Sequence, residues 1–147
     1  MARDLFIGVT EQSKASVHRR DDAHALLNAA RWRGAMYMAG YSIECLLKAK
    51  LMRMFGCSNL LDLEQELQRR NLLASQSTIF THQLEVLLRL ANGTDRLRQH
   101  HTLWPMFNIV NRWIPAWRYN PNPSRREDAE DYLDAVDKVR HWIDNNV

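Results

Sequence analysis

The sequence predicts an all-α fold, an antiparallel bundle of four to five main helices joined by shorter ones, and three observations carry that expectation. From Ser13 to Phe55 there is no proline and good helix formers dominate. Apolar residues recur at intervals of three and four, the spacing of one helix face. No alternating run is long enough for a half-buried strand, and no internal repeat or low-complexity tract interrupts the 147 residues.

A chain of this length fits one domain spanning residues 1–147, with its core expected from about residue 14 to 145. With 46% hydrophobic and 25% charged residues, 5 Gly and 4 Pro, the composition is that of an ordinary globular protein rather than a disordered or fibrous one. The opening run Met1 to Glu11 has a short apolar patch without the features of a secretory signal, so a cytoplasmic protein is expected. The apolar stretch from Ala35 to Leu47 is interrupted by Glu44 and falls short of the roughly 20 residues that span a bilayer, so no membrane is expected either. Cys45 and Cys57 form no Cys-x-x-Cys pair, and Cys45 falls inside an apolar helix where a thiol behaves as a small hydrophobe; a reducing compartment fits. The net charge is +3, and sixteen of the twenty basic residues are arginine. Arginine's planar fork suits bidentate contact to phosphate or carboxylate, although so small a net charge also fits an unspecialised surface.

The proline-free stretch divides into two long helices. The break is expected at Arg33-Gly34, where the apolar pattern changes phase and glycine costs roughly 1 kcal/mol in a helix interior. Ser13 or Ser16 is the expected N-cap of the first. In the second, Met36, Gly40, Ile43, Leu47, Leu51 and Met54 share a face, and Tyr37, Tyr41 and Cys45 form an adjoining stripe. A helix apolar over so much of its girth belongs at the centre of a bundle or between its own domain and a partner. Gly34, Ala35, Ala39 and Gly40 would let another helix approach closely. Gly56-Cys57-Ser58-Asn59 ends the helix. A shorter one built on Leu60, Leu63, Glu64 and Leu67 closes near Arg69-Arg70-Asn71, and another runs from His82 to Leu90 until Asn92-Gly93 stops it. Asp95 opens a segment that Pro105 is expected to divide. The stretch from Trp104 to Pro123 holds three of the five tryptophans and all four prolines and is the least regular. Ser124 with Glu127 three residues on reads as a capping box, opening a last helix whose Ala129, Tyr132, Leu133, Val136, Val139 and Ile143 face the core.

No Gly-rich phosphate loop, His-Glu-x-x-His pair or Gly-x-Ser-x-Gly elbow is present. His18 and His24 are six apart and His100 and His101 adjacent, spacings that share no ligand face, so neither metal nor cofactor is expected. The distinctive block is Arg33-Gly-Ala-Met-Tyr-Met-Ala-Gly-Tyr-Ser-Ile-Glu-Cys-Leu-Leu-Lys-Ala49, followed by Thr81-His-Gln-Leu-Glu-Val-Leu-Leu88 and later by Trp117-Arg-Tyr119. On these residues the chain resembles the HEPN family, the nucleotide-binding domains of higher eukaryotes and prokaryotes, from roughly Arg20 to Ile143. The part around Gly40, Glu44 and Lys48 is the most specific.

That resemblance implies a bundle of four to five helices that pairs as a homodimer, often beside a nucleotidyltransferase partner in toxin-antitoxin or defence modules. Several members of the family are metal-independent ribonucleases. Their activity depends on an Arg followed four to six residues later by His, commonly just before the last helix, with the two copies meeting across the dimer interface. The matching place here reads Arg118-Tyr-Asn-Pro-Asn-Pro-Ser-Arg-Arg-Glu127, an Arg without its His. The spacing occurs instead at Arg96-Leu-Arg-Gln-His-His101. There His101 would act as general base or acid on a 2′-hydroxyl or leaving oxygen and Arg96 would stabilise the phosphorane charge. A solvated, charged helix start accounts for the same residues.

Glu44 and Lys48 match the family's pair on the second helix and have the favourable i,i+4 order of an ion pair. His82 matches a histidine that often precedes the short helix, where it would cap or pack. Trp104, Trp113, Trp117 and Tyr119, beside Arg112 and Arg118, would either stack bases or pin the proline-rich connection onto the bundle. The leading expectation is a binding or regulatory component that forms a homodimer, with Arg118, Tyr119, Arg112, Glu44 and Lys48 lining a groove for nucleotide, RNA or a partner protein. The rivals are an endoribonuclease toxin using Arg96 and His101, and a purely structural dimerisation module. Tyr119 and Tyr132 are conceivable acceptors of a transferred nucleotidyl group.

Overall fold

The computed structural model describes residues 8–74, 76–122 and 124–147, and these form seven α-helices and no strand. The run up to Ile7 and Pro123, both part of the readings above, lie outside the described residues. Three helices are long: α1 (Val9–Asn28), α2 (Trp32–Met54) and α7 (Arg126–Asn146). Between α2 and α7 come α3 (Leu60–Arg69), α4 (Leu84–Leu90), α5 (Thr94–Arg98), α6 (Leu103–Val110) and a 3-10 turn over Pro115–Tyr119. The all-α expectation holds. Among the described residues no helix is long and apolar enough to cross a membrane.

α2 is the axis of the molecule. Ile43, Leu47 and Leu51 on its predicted stripe are fully enclosed, Tyr37 and Cys45 on the second stripe are buried, and only Met54 in the last turn is exposed. Burial pushes the Cys45 thiol up to about 12, which suits a small hydrophobe rather than a nucleophile. On α7 all six predicted core residues are buried. Each enclosed Leu or Ile contributes about 1.5–3 kcal/mol of transfer free energy.

Long-range polar contacts set the helix directions. Arg20 and His24 of α1 both reach Asp137 of α7, at 3.1 and 2.9 Å, while Ser16 meets Arg140. Ser42 and Lys50 of α2 meet Arg140 and Asp144 in that order. α1 therefore runs antiparallel to both neighbours, and α7 runs in the same direction as α2, an arrangement that the excursion through the short helices allows. The buried Arg140 guanidinium donates to the Ser16 and Ser42 carbonyls and to the Ser16 hydroxyl, tying the three long helices together.

Several expected boundaries move. The break between the long helices lies at residues 29–31, not at Arg33-Gly34, and Gly34 sits inside the first turn of α2. Ala30 takes a left-handed φ of 60°, and the Ala30 and Arg31 N–H groups bond back to the Leu27 and Leu26 carbonyls, the Schellman closure of a helix end. α1 starts at Val9 with no side-chain cap, so neither serine caps it; Ser16 is buried in mid-helix and donates to the Ser42 carbonyl. Pro105 does not divide a helix but occupies the first turn of α6, where a missing N–H costs nothing. The capping box at Ser124 is not formed: α7 begins at Arg126 without a side-chain cap.

Candidate functional site

Gly40 is where the connection after α6 locks onto α2. A Cβ built there would collide with the Trp113 ring, so the missing side chain admits an indole rather than another helix. Trp113 donates its Nε1–H to the Tyr37 carbonyl at 2.9 Å and stacks on the Tyr37 ring at 5.9 Å, with Tyr41 edge-on at 6.1 Å. One and two turns further along α2, Glu44 and Lys48 are only 3% and 5% exposed. Lys48 Nζ donates to Glu44 Oε2 at 3.2 Å, and His82 Nδ1 lies 2.6 Å from Glu44 Oε1. His82 thus anchors the loop before α4 to the central helix instead of capping α4, whose N-cap residue is Gln83.

A groove of about 520 Å³ opens between α1, the start of α2 and the 3-10 turn. Arg19, Arg33 and Arg118 line it together with Tyr37, Tyr41 and Trp117. Arg33, Tyr37 and Tyr41 recur every four residues, so one face of α2 presents them in a row. The Arg33 guanidinium lies 5.7 Å from the centre of the Trp117 ring and Arg118 4.7 Å from that of Tyr119. Arg118 also reaches the Tyr37 hydroxyl at 3.5 Å. The Tyr37 and Tyr119 hydroxyls hold its proton affinity above the ordinary arginine value, and burial raises that of the Tyr41 hydroxyl. Among the described residues Arg33 and Arg118 rest on rings rather than on carboxylates, and the Arg33 Nε–H, itself buried, has no hydrogen-bond acceptor. Arg19 differs, being paired with Asp22 at 2.9 Å. A depression of about 420 Å³ continues the groove past Arg31 and Trp32, sharing Arg33, Gly34 and Asn120.

A second cleft, of about 570 Å³, lies on the other side of Trp113, with Thr78, Thr81, His82, Gln83, Glu85 and Asn111 as its polar lining and Phe80 and Ile114 among its apolar walls. Asn111 donates its amide N–H to Glu85 Oε2 at 3.1 Å.

The residues expected to share one groove are thus distributed. Arg118 lines the arginine-aromatic groove, and Tyr119, 71% exposed, stacks under Arg118. Arg112 lines a separate depression with Asp128 and Asp131. Glu44 and Lys48 lie in the interior. Of the four aromatics, Trp117 lines the groove, Trp113 is packed onto α2, and Trp104 stacks on Phe107 at 6.0 Å. Arg96, on α5, donates to the Asn92 carbonyl at 3.3 Å and covers the Trp142 ring, while His101 is exposed in the turn before α6; neither lines the clefts described above. The Tyr132 hydroxyl donates to the Val110 carbonyl in the core, which closes it to any transfer reaction. Arg19, Arg33, Tyr37 and Tyr41 were not among the expected site residues. The four-residue recurrence of the last three was readable, but the approach of Arg19 from α1 was not. Among the described residues, no three or more His, Cys, Asp or Glu side chains gather in a way that could hold a metal ion.

Comparison of the chain with family models, with curated proteins and with solved structures found no match to any of them.

Proposed function

We propose that this chain is a HEPN-like binding component that acts as a homodimer in the cytoplasm beside a nucleotidyltransferase partner, and that its arginine-aromatic groove takes single-stranded RNA. The observation that carries the reading is the pairing of Arg33 and Arg118 with ring faces instead of carboxylates, in a groove walled by Tyr37, Tyr41 and Trp117. Guanidinium charge left without a counterion attracts phosphate, and neighbouring rings stack bases whatever their sequence. The HEPN assignment, the dimer and the protein partner rest on the sequence resemblance.

The test is fluorescence anisotropy with a labelled single-stranded RNA across a salt series. Each neutralised phosphate adds about 0.7 to the slope of log affinity against log salt for a single strand. Arg33→Ala with Arg118→Ala is expected to weaken binding at least tenfold and to reduce that slope by about 1.4, the share of two contacts. Equal affinity and slope in wild type and double variant would sink the reading. The same RNA incubated in EDTA decides the ribonuclease alternative: it is expected to stay intact, whereas cleavage that vanishes in His101→Ala would assign the chain to the endoribonucleases.

A further inference from the structure

Resting on the reading of the groove as an RNA site, we infer that the cleft beside Trp113 reads a guanine of the bound strand. The two sites are neighbours through the chain and through packing. The segment from Trp113 to Arg118 passes from one to the other, and the Trp113 and Tyr37 rings that border them are stacked at 5.9 Å.

Thr78 donates its hydroxyl to Glu64, and besides the Thr81 hydroxyl and the Gln83 amide the polar side chains of the cleft present acceptors, for a reason that lies beneath it. Glu44 is a carboxylate paired with Lys48, so the hydrogen bond at His82 Nδ1 has the imidazole as donor. A neutral His82 then carries its proton on Nδ1 and offers a lone pair at Nε2, on a side chain that is 53% exposed and lines the cleft. Asn111 spends an amide N–H on Glu85 Oε2, which leaves Asn111 Oδ1 and Glu85 Oε1 as acceptors. Among the described residues no lysine or arginine lines this cleft, so it does not attract phosphate as the groove does.

Guanine is the base whose pairing edge shows two adjacent donors, N1–H and the N2 amino group, beside a single acceptor, O6. Glu85 Oε1 and Asn111 Oδ1, held side by side by their own hydrogen bond, take one donor each, and Gln83 has an amide N–H for O6. Adenine and cytosine each set an amino group beside an unprotonated ring nitrogen, and uracil sets one N–H between two carbonyls, so each would place a lone pair against an acceptor of the cleft. The Phe80 and Trp113 side chains supply the apolar wall on which a splayed base rests.

The experiment is competition binding of the full chain with eight-nucleotide uridine strands carrying guanosine, inosine, adenosine or no substitution at one central position. The guanosine strand is expected to bind about tenfold tighter than the others, the discrimination of one bidentate contact. Inosine, which lacks the N2 amino group, should lose most of the gain. Glu85→Gln should abolish the preference, while Glu127→Gln, on the exposed start of α7, keeps it. Equal affinity for all four strands would overturn the guanine assignment and leave the groove intact. Failure of any strand to bind would instead remove the proposed function on which it rests.

Discussion

Glu44 has both carboxylate oxygens engaged in the interior, one by Lys48 and one by His82. Spacing alone makes Glu44 and Lys48 an i,i+4 pair worth a few tenths of a kcal/mol on a wet helix surface. Burial changes the scale: stripping one partner from an enclosed pair leaves a charge that costs about 3–5 kcal/mol. Lys48→Met is therefore expected to destabilise the protein by about that much in urea unfolding, and adding Glu44→Gln should recover most of the loss. A cost under about 1 kcal/mol for Lys48→Met would mean that the pair is solvated. The same burial removes Lys48 from any groove that a ligand could line. The pair was legible in the sequence; its third member, His82, stands 38 residues from Glu44 and meets it only through the fold.

Helix ends show which local signals the sequence carries. α1, α2, α3 and α4 all end in Schellman closures, with Ala30, Gly56, Asn71 and Asn92 in the left-handed position at φ 60°, 65°, 58° and 59°. Glycine and asparagine adopt that region readily, so three of the four ends stand near their expected places. Alanine does not, and its Cβ strains the turn. Ala30→Gly is accordingly expected to stabilise the protein by about 0.5–1 kcal/mol, raising the urea midpoint without changing the slope. A drop in midpoint would mean that the flexibility of glycine in the unfolded chain outweighs the relieved strain. The misplaced break at Gly34 has the same origin: a glycine is tolerated within a helix and an alanine can end one when neighbouring helices hold the turn.

For the molecule as a whole, Arg140 joins three long helices that the sequence presents as separate segments. Its guanidinium, whose proton affinity burial lowers below the ordinary arginine value, serves carbonyls on α1 and α2 from its seat on α7. Arg140→Leu keeps the apolar bulk but removes the buried donor that the Ser16 hydroxyl and the Ser16 and Ser42 carbonyls share. It is expected to cost about 2 kcal/mol or more in thermal unfolding and to loosen α7 first, seen as faster amide exchange along that helix. Unchanged exchange on α7 would show that apolar packing alone holds it. The side-by-side direction of α2 and α7 is a property of this scale, because the length of the intervening excursion permits either direction.

Helix content, the central apolar helix and the core stripe of α7 followed from the sequence by itself, because periodicity of apolar residues and the residue at a helix end act over a few positions and are written in neighbouring letters. The ionic pair on α2 was readable for the same reason. Only the tertiary structure decided that Trp113 fills the space above Gly40, that His82 joins Glu44, that Arg19 comes to stand beside Arg33 and Arg118, and that Arg112 points into a different depression. Each of these depends on where separate helices pack against one another, and the spacing of residues along one helix carries no record of what a different helix brings to its side.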